Sequence, residues 1–215
     1  MKSFVNTTEQ IDDLPLAAEE LLAGVSQKSL QKNTVGILYC YSDMEIAEFA
    51  AVLSQKAEFP ILGCTAIATM EHKRGFHEMA ASLMILTSDD CSFSLALSDP
   101  ITPENVAGQI DEACNGIKAA LGEELKLLFA LPPYLLGIML DEYASGFNRC
   151  CPGTPVLGGL PSYNATGDRN LTVFCGEKVL LSRKKQLMTP GELETATVDV
   201  TGCAEDLRLL VEKEG

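Results

Sequence analysis

Two segments of the chain, Phe59-Pro-Ile-Leu-Gly-Cys64 and Thr154-Pro-Val-Leu-Gly-Gly159, align without a gap, 95 residues apart from Phe59 to Thr154. Each joins a proline, which holds the residue before it extended, to an apolar pair suited to a buried strand. Each then adds a glycine, which lets another chain approach closely. Ahead of the first stands Val35 to Cys40 (VGILYC), a continuous apolar run of strand length, as expected for a strand covered on both faces. Between them Ser42-x-x-Glu45 reads as a capping box, and Ile46, Phe49, Ala50 and Leu53 stripe a helix. Strand, helix and strand predict a parallel βαβ unit with a right-handed crossover. The second segment has the same prelude: Leu125 to Leu131 as a buried strand and Leu135 to Tyr143 as a helix.

The flanks extend the parallel. Phe4-Val5 predicts a short strand, and Pro15 starts a helix with Leu14, Ala17, Ala18, Leu21, Leu22 and Val25 on one face. Past a polar loop with His72, Lys73, Arg74 and His77, Met79 to Leu86 and Cys91 to Leu97 read as two strands turning at Ser88-Asp89-Asp90. Thr102-Pro103 caps a helix that buries Val106, Ile110, Ala113, Cys114, Ile117 and Leu121 and stops at Gly122. A second polar loop leads to a hairpin, Leu171 to Cys175 and Lys178 to Leu181, turning at Gly176-Glu177. Val198-Asp-Val200 and the amphipathic Glu205 to Val211 follow as a strand and a helix. The expected class is α/β of mixed α+β character, with two β-α-β-β-β pseudo-repeats forming layered mixed sheets covered by helices. The halves are 1–100 and 101–215, together one compact domain, and a duplication is the economical explanation.

A chain of 215 residues that is 47% apolar and 21% charged can bury a full core without staples. Its formal charge of −14 argues against a nucleic-acid partner, and the basic cluster Arg183-Lys184-Lys185 reads as a solvated strand end. Met1 to Asn6 runs straight into polar residues where a signal peptide would be apolar, and no run has the length of a membrane span. The expected location is therefore cytoplasmic, without membrane insertion. The eight cysteines are dilute, and Cys40, Cys91 and Cys175 fall in strand-like runs, which predicts reduced, buried thiols. There is no CxxC, no GxGxxG and no GxxxxGK[ST], so neither a metal nor any other cofactor is expected.

Candidate site residues lie where the two Pro-x-Leu-Gly strands end. Gly63, Cys64 and Thr65 form one exit and Gly158 and Gly159 the other, since ligands of α/β sheets sit beyond the carboxyl ends of strands. The same glycines also serve tight packing, and both readings stand. The loop after the second exit gathers Ser162, Tyr163, Asn164, Asp168 and Arg169. Arg169 is suited to a carboxylate and Asp168 to an ammonium, so the set matches a zwitterion, although Asn, Gly and Asp equally form turns. Cys64 with His72 or His77 as base is the enzymatic alternative, but the position matching Cys64 in the second half is Gly159.

Phe59-Pro-Ile-Leu-Gly-Cys-Thr65, Pro155-Val-Leu-Gly-Gly-Leu160 and Leu171-Thr-Val-Phe-Cys-Gly-Glu-Lys-Val179 resemble the P-V-x-G-x-T and P-V-x-G-G … V-F-x-N-G-x-V signatures of FIST domains. The resemblance spans about residues 16 to 185, the amino-terminal half of that module. It implies an intracellular sensory module of signal transduction that binds a small ligand such as an amino acid. The implied partners are that ligand and a signalling protein or the carboxyl-terminal FIST half, which the resemblance places outside this sequence. No ligand-contacting residue carries over from the family. A ligand sensor, a protein interaction or assembly module, and a Cys64-dependent enzyme are thus the competing functions, and a non-enzymatic role is expected.

Overall fold

The computed structural model describes residues 1–25, 30–71, 75–133, 135, 137–162, 170–176 and 178–183, and residues 1–182 form one compact unit. Its strands are β1 (Lys2–Thr8), β2 (Asn33–Tyr41), β3 (Ile61–Ala66), β4 (Ala68–Glu71), β5 (Gly75–Glu78), β6 (Ala81–Ser88), β7 (Leu128–Ala130), β8 (Val156–Gly158), β9 (Asn170–Cys175) and β10 (Lys178–Arg183). Its helices are α1 (Leu14–Leu22), α2 (Ile46–Lys56), α3 (Val106–Leu121) and α4 (Leu140–Cys150). The architecture is mixed α/β, as the sequence predicts. A six-stranded sheet runs β1-β6-β2-β3-β9-β10, with β2 and β3 parallel at its centre and β1, β6 and β9 paired antiparallel. β4 and β5 form an antiparallel hairpin, and β7 and β8 a parallel pair.

Helical periodicity places α1 and α2 against one face of the large sheet. The Asp13 carboxylate accepts from Leu16 N at 3.1 Å and Pro15 occupies the first turn, so one free N–H at this end is capped and another is absent. Leu14, Ala17, Ala18 and Leu21 of α1 and Ile46, Phe49, Ala50 and Leu53 of α2 bury together against Leu38, Cys40, Ile61, Leu83 and Ile85. A second core forms where α3 and α4 cover β7, from Val106, Ile110, Cys114, Leu128, Ile138, Tyr143 and Cys151. The two cores draw on separate stretches of chain, except that Phe174 of β9 belongs to the first.

The two Pro-x-Leu-Gly segments hold the same register. Ile61, Leu62 and Gly63 stand opposite Gly36, Ile37 and Leu38, while Val156, Leu157 and Gly158 stand opposite Leu128, Phe129 and Ala130. Pro60 O accepts from Gly36 N at 2.9 Å, and Pro155 O from Leu128 N at 3.0 Å. A Cβ at Gly63 would collide with Leu38 O and the Phe174 ring, and one at Gly158 with Ala130 O. The surroundings differ: β3 is buried between two strands, whereas Leu157 on β8 is 57% exposed.

Several expectations are corrected. Residues 91–98 form no strand, so no hairpin follows β6, and Cys91 is exposed and Cys175 half-buried where both were expected inside. The expected turn is used differently: Ser88 Oγ accepts from Asp90 N and Cys91 N, and the Asp89 carboxylate accepts from Lys32 N at 3.0 Å and Gln31 Nε2 at 2.7 Å. Those bonds tie the chain back to the entry of β2. The first-half hairpin is β4 and β5, in what reads as a polar loop. The expected capping box does not start α2, which begins after Glu45 with no side-chain cap, and Ser42 Oγ donates to Asp43. α4 begins at Leu140, five residues past the expected Leu135. Gly122 does end α3, at φ 65°.

Glycines at closed and open positions are expected to respond oppositely. Gly63→Ala overpacks the sheet and should lower stability by roughly 1 to 3 kcal/mol. Gly116→Ala, on the open face of α3 with nothing within 4 Å, should raise it by about 0.5 to 1 kcal/mol. Urea midpoints of the two variants check the pair.

Candidate functional site

The parallel strands β2 and β3 end together, and Ser42 N continues their ladder by donating to Ala66 O at 3.1 Å. On the other edge of β3 the register sets Leu62, Gly63 and Cys64 against Cys175, Phe174 and Val173, which brings Thr172 opposite Thr65. Thr172 N donates to the Thr65 hydroxyl at 3.2 Å, because the Thr65 carbonyl is already taken by Ser162 N at 2.9 Å. Ser162 Oγ in turn accepts from Ile67 N at 3.2 Å. Ser162 thus lies along the edge of β3 beyond the point where β9 departs, its hydroxyl standing in for a strand carbonyl. The exits of β3 and β8 converge there.

Of the expected site residues, Gly63, Cys64 and Thr65 are buried in the sheet, Cys64 fully and Thr65 to 1% exposure. Gly158 and Gly159 are exposed and Ser162 half-buried. Gly159 N donates to Ala130 O at 3.2 Å, extending the β7–β8 ladder. Tyr163, Asn164, Asp168 and Arg169 lie outside the described residues, as does His72. Burial pushes the Cys64 thiol up to about 12 and Cys40 well above its ordinary value, with Cys64 adding to the effect. Tyr39, opposite Cys64 on β2, is raised by its own burial and then by Cys64. His77 Nδ1 pairs with Glu9 at 3.2 Å.

A polar network beneath the β4–β5 hairpin escaped the sequence reading. Ser82 Oγ donates to Thr69 Oγ1 at 2.9 Å and lies 2.8 Å from Thr7 Oγ1. Thr69 and His77 are cross-strand partners facing inward, while the next pair, Met70 and Phe76, is 79% and 63% exposed. The signal was the alternation of polar with apolar residues in both strands, but with its faces inverted. Among the described residues no helix is long and apolar enough to cross a membrane.

The model of the FIST N domain family matches residues 34–198. The chain belongs to the FIST N family. Comparisons with curated protein sequences and with solved structures gave no match. The matched span takes in both Pro-x-Leu-Gly strands, the converging exits and the β9–β10 hairpin. FIST domains are sensory domains of signal transduction, and the Pro-x-Leu-Gly segments of this FIST N domain are the framework on which its two exits meet.

The thiol of Cys64 makes this domain lose stability at high pH. A pKa raised on folding from 9.0 to about 12 leaves both states protonated below pH 9, so stability is fully present there. Between pH 9 and 12 the unfolded chain ionises first, and stability falls by about 1.4 kcal/mol per pH unit for this group. Cys64→Ala should lose that component, so the wild-type advantage should narrow by about 3 kcal/mol between pH 8 and pH 11. Urea titrations of both proteins at pH 8 and pH 11 measure it.

Proposed function

We propose that this FIST N domain senses a small intracellular ligand of amino-acid type, bound where the exits of β3 and β8 converge. The observation that carries the reading is the pair of bonds from Ser162 N to Thr65 O and from Ile67 N to Ser162 Oγ. They join the carboxyl ends of two parallel strand pairs, where α/β folds bind their ligands. In this reading Gly63, Cys64 and Thr65 lie buried beneath the site and hold the end of β3 rigid without themselves touching the ligand. Half-buried Ser162 and exposed Gly159 stand at the rim, and Asp168 and Arg169 supply charges for an ammonium and a carboxylate. Cys64 is structural, since a thiol pushed up to about 12 is protonated at neutral pH and a poor nucleophile.

A docking module is the second reading, favoured by the exposed Met70–Phe76 pair of the β4–β5 hairpin, because exposed apolar patches mark interaction sites. A thermal-shift screen of the full chain against amino acids and related zwitterions separates the two. A ligand at a hundred times its Kd stabilises by about 2.7 kcal/mol. For a ligand so found, Arg169→Ala should weaken binding by roughly 1.5 to 3 kcal/mol, while Cys64→Ser should leave affinity unchanged. Calorimetric titration reads both. An Arg169→Ala variant that binds as tightly as wild type would overturn the charge assignment, and a ligand whose affinity collapses with Cys64→Ser would restore the enzymatic alternative.

A further inference from the structure

Three cysteines meet in the second core. Cys114 lies on α3, Cys150 closes α4 and Cys151 follows it; all three pack in one cluster, with Cys114 and Cys151 each 2% exposed and Cys150 half-buried. One stripe of α3 carries Ala107, Asp111, Cys114 and Lys118 at three- and four-residue spacing. The last turn of α4 is bonded to that stripe on both sides of Cys114. Arg149 Nη2 donates to Asp111 Oδ1 at 2.8 Å and to Ala107 O at 3.4 Å, and Cys150 Sγ donates to Asp111 Oδ1 at 2.6 Å. Lys118 Nζ donates to Cys150 O. The helices close tightly because Gly146 faces Ile110, whose Cδ1 would lie 2.6 Å from a Cβ there. Cys150 Sγ is thus held against Asp111, one turn before Cys114 on the same stripe, and Cys114 lies close enough to Cys150 and Cys151 for both to act on its thiol electrostatically.

We propose that Cys114 and Cys150 form a reversible disulfide that staples α3 to α4, with a peroxide as oxidant. Cys150 is the thiol a peroxide can reach. It takes one peroxide oxygen, becoming a sulfenic acid as the first water leaves. The Cys114 sulfur then attacks the Cys150 sulfur, the S–S bond forms and the S–O bond breaks. The departing hydroxide takes the Cys114 proton as the second water. Two thiols give up two electrons, and hydrogen peroxide is reduced to two waters. Cys150 and Cys151 are poorly placed to bridge each other, because adjacent Cα atoms stand about 3.8 Å apart and disulfides span roughly 4.4 to 6.8 Å. Burial, followed by the neighbouring cysteines, pushes Cys114 up to about 12. The link therefore forms slowly and, once made, resists reduction, since high-pKa thiols are poor leaving groups. From Cys150 the chain runs through residues 151–155 into β8, so the staple anchors the approach to the β8 exit. The inference stands apart from the ligand reading.

The test uses the full chain with Cys91→Ser, which removes an exposed thiol and leaves seven of the eight cysteines. Mild hydrogen peroxide should lower the thiols titratable after denaturation from seven to five, and dithiothreitol should restore seven. Peptide mass mapping should find 114 joined to 150, and the oxidised protein should melt higher than the reduced one. Adding Cys150→Ser should abolish the loss of thiols, whereas adding Cys151→Ser should keep the 114–150 link. Seven thiols persisting after peroxide, a link through any other pair, or a loss that dithiothreitol does not reverse would overturn the assignment. A link that leaves the melting temperature unchanged would overturn its role as a staple.

Discussion

The close approach at Gly63 organises the amino-terminal sheet. With no side chain there, the Phe174 ring lies across β3, and the backbone of β2 carries Leu38 O where a Cβ would otherwise stand. Phe174 is thereby buried in the core built on α1 and α2, which seats β9 on the edge of β3. That seat fixes Thr172 opposite Thr65, so the Thr65 hydroxyl receives one strand while its carbonyl receives the other. Absence of a single Cβ thus determines which strand pairs with β3 and where the second exit arrives. Buried backbone groups must find partners, and here the side chains of Thr65 and Ser162 complete a ladder that β9 alone leaves short.

Much of this was legible in the chain. The periodic apolar faces of α1 and α2 and the continuous run of β2 report burial directly, because period and burial are the same fact in a helix or a covered strand. The matching strand character of the two Pro-x-Leu-Gly segments was also readable, since proline and glycine constrain the backbone locally. Choice of sheet neighbours was not: nothing in Leu171 to Cys175 says that its strand pairs with β3. Cys91 to Leu97 shows how alternation misleads. Phe93, Ser94 and Leu95 are all half-buried while Cys91 is exposed, and the segment is held by bonds such as Asn33 Nδ2 to Cys91 O at 2.9 Å and pairs in no sheet. In β4 and β5 the inward pair is Thr69 and His77 and the outward pair Met70 and Phe76, the reverse of the pattern that marks a strand in a sequence.

The candidate site was read in part. The exits were identifiable from their glycines, and Ser162 from its polar loop. What the residues could not reveal is that Gly63, Cys64 and Thr65 face protein on every side, since a glycine that admits a ligand and one that admits a phenylalanine ring look alike. The cysteines carry the same lesson. Cys114 and the Cys150-Cys151 pair are far apart along the chain, and only the crossing of α3 and α4 at Gly146 and Ile110 brings them together.

The pairing of β3 with β9 spans about 107 residues between Thr65 and Thr172, and this shapes how the chain can reach its structure. Contacts so distant in sequence impose a loop-closure cost before any burial compensates it, and topologies rich in them fold slowly. During synthesis, α1, α2 and strands β1 to β6 leave the ribosome well before Phe174 exists, so the core they enclose waits with one edge open. An open edge of this kind is a template for wrong pairings between nascent chains. The amino-terminal sheet is therefore completed by the chain's own later residues, and its window of vulnerability lasts until the β9–β10 hairpin, which ends at Arg183, has emerged.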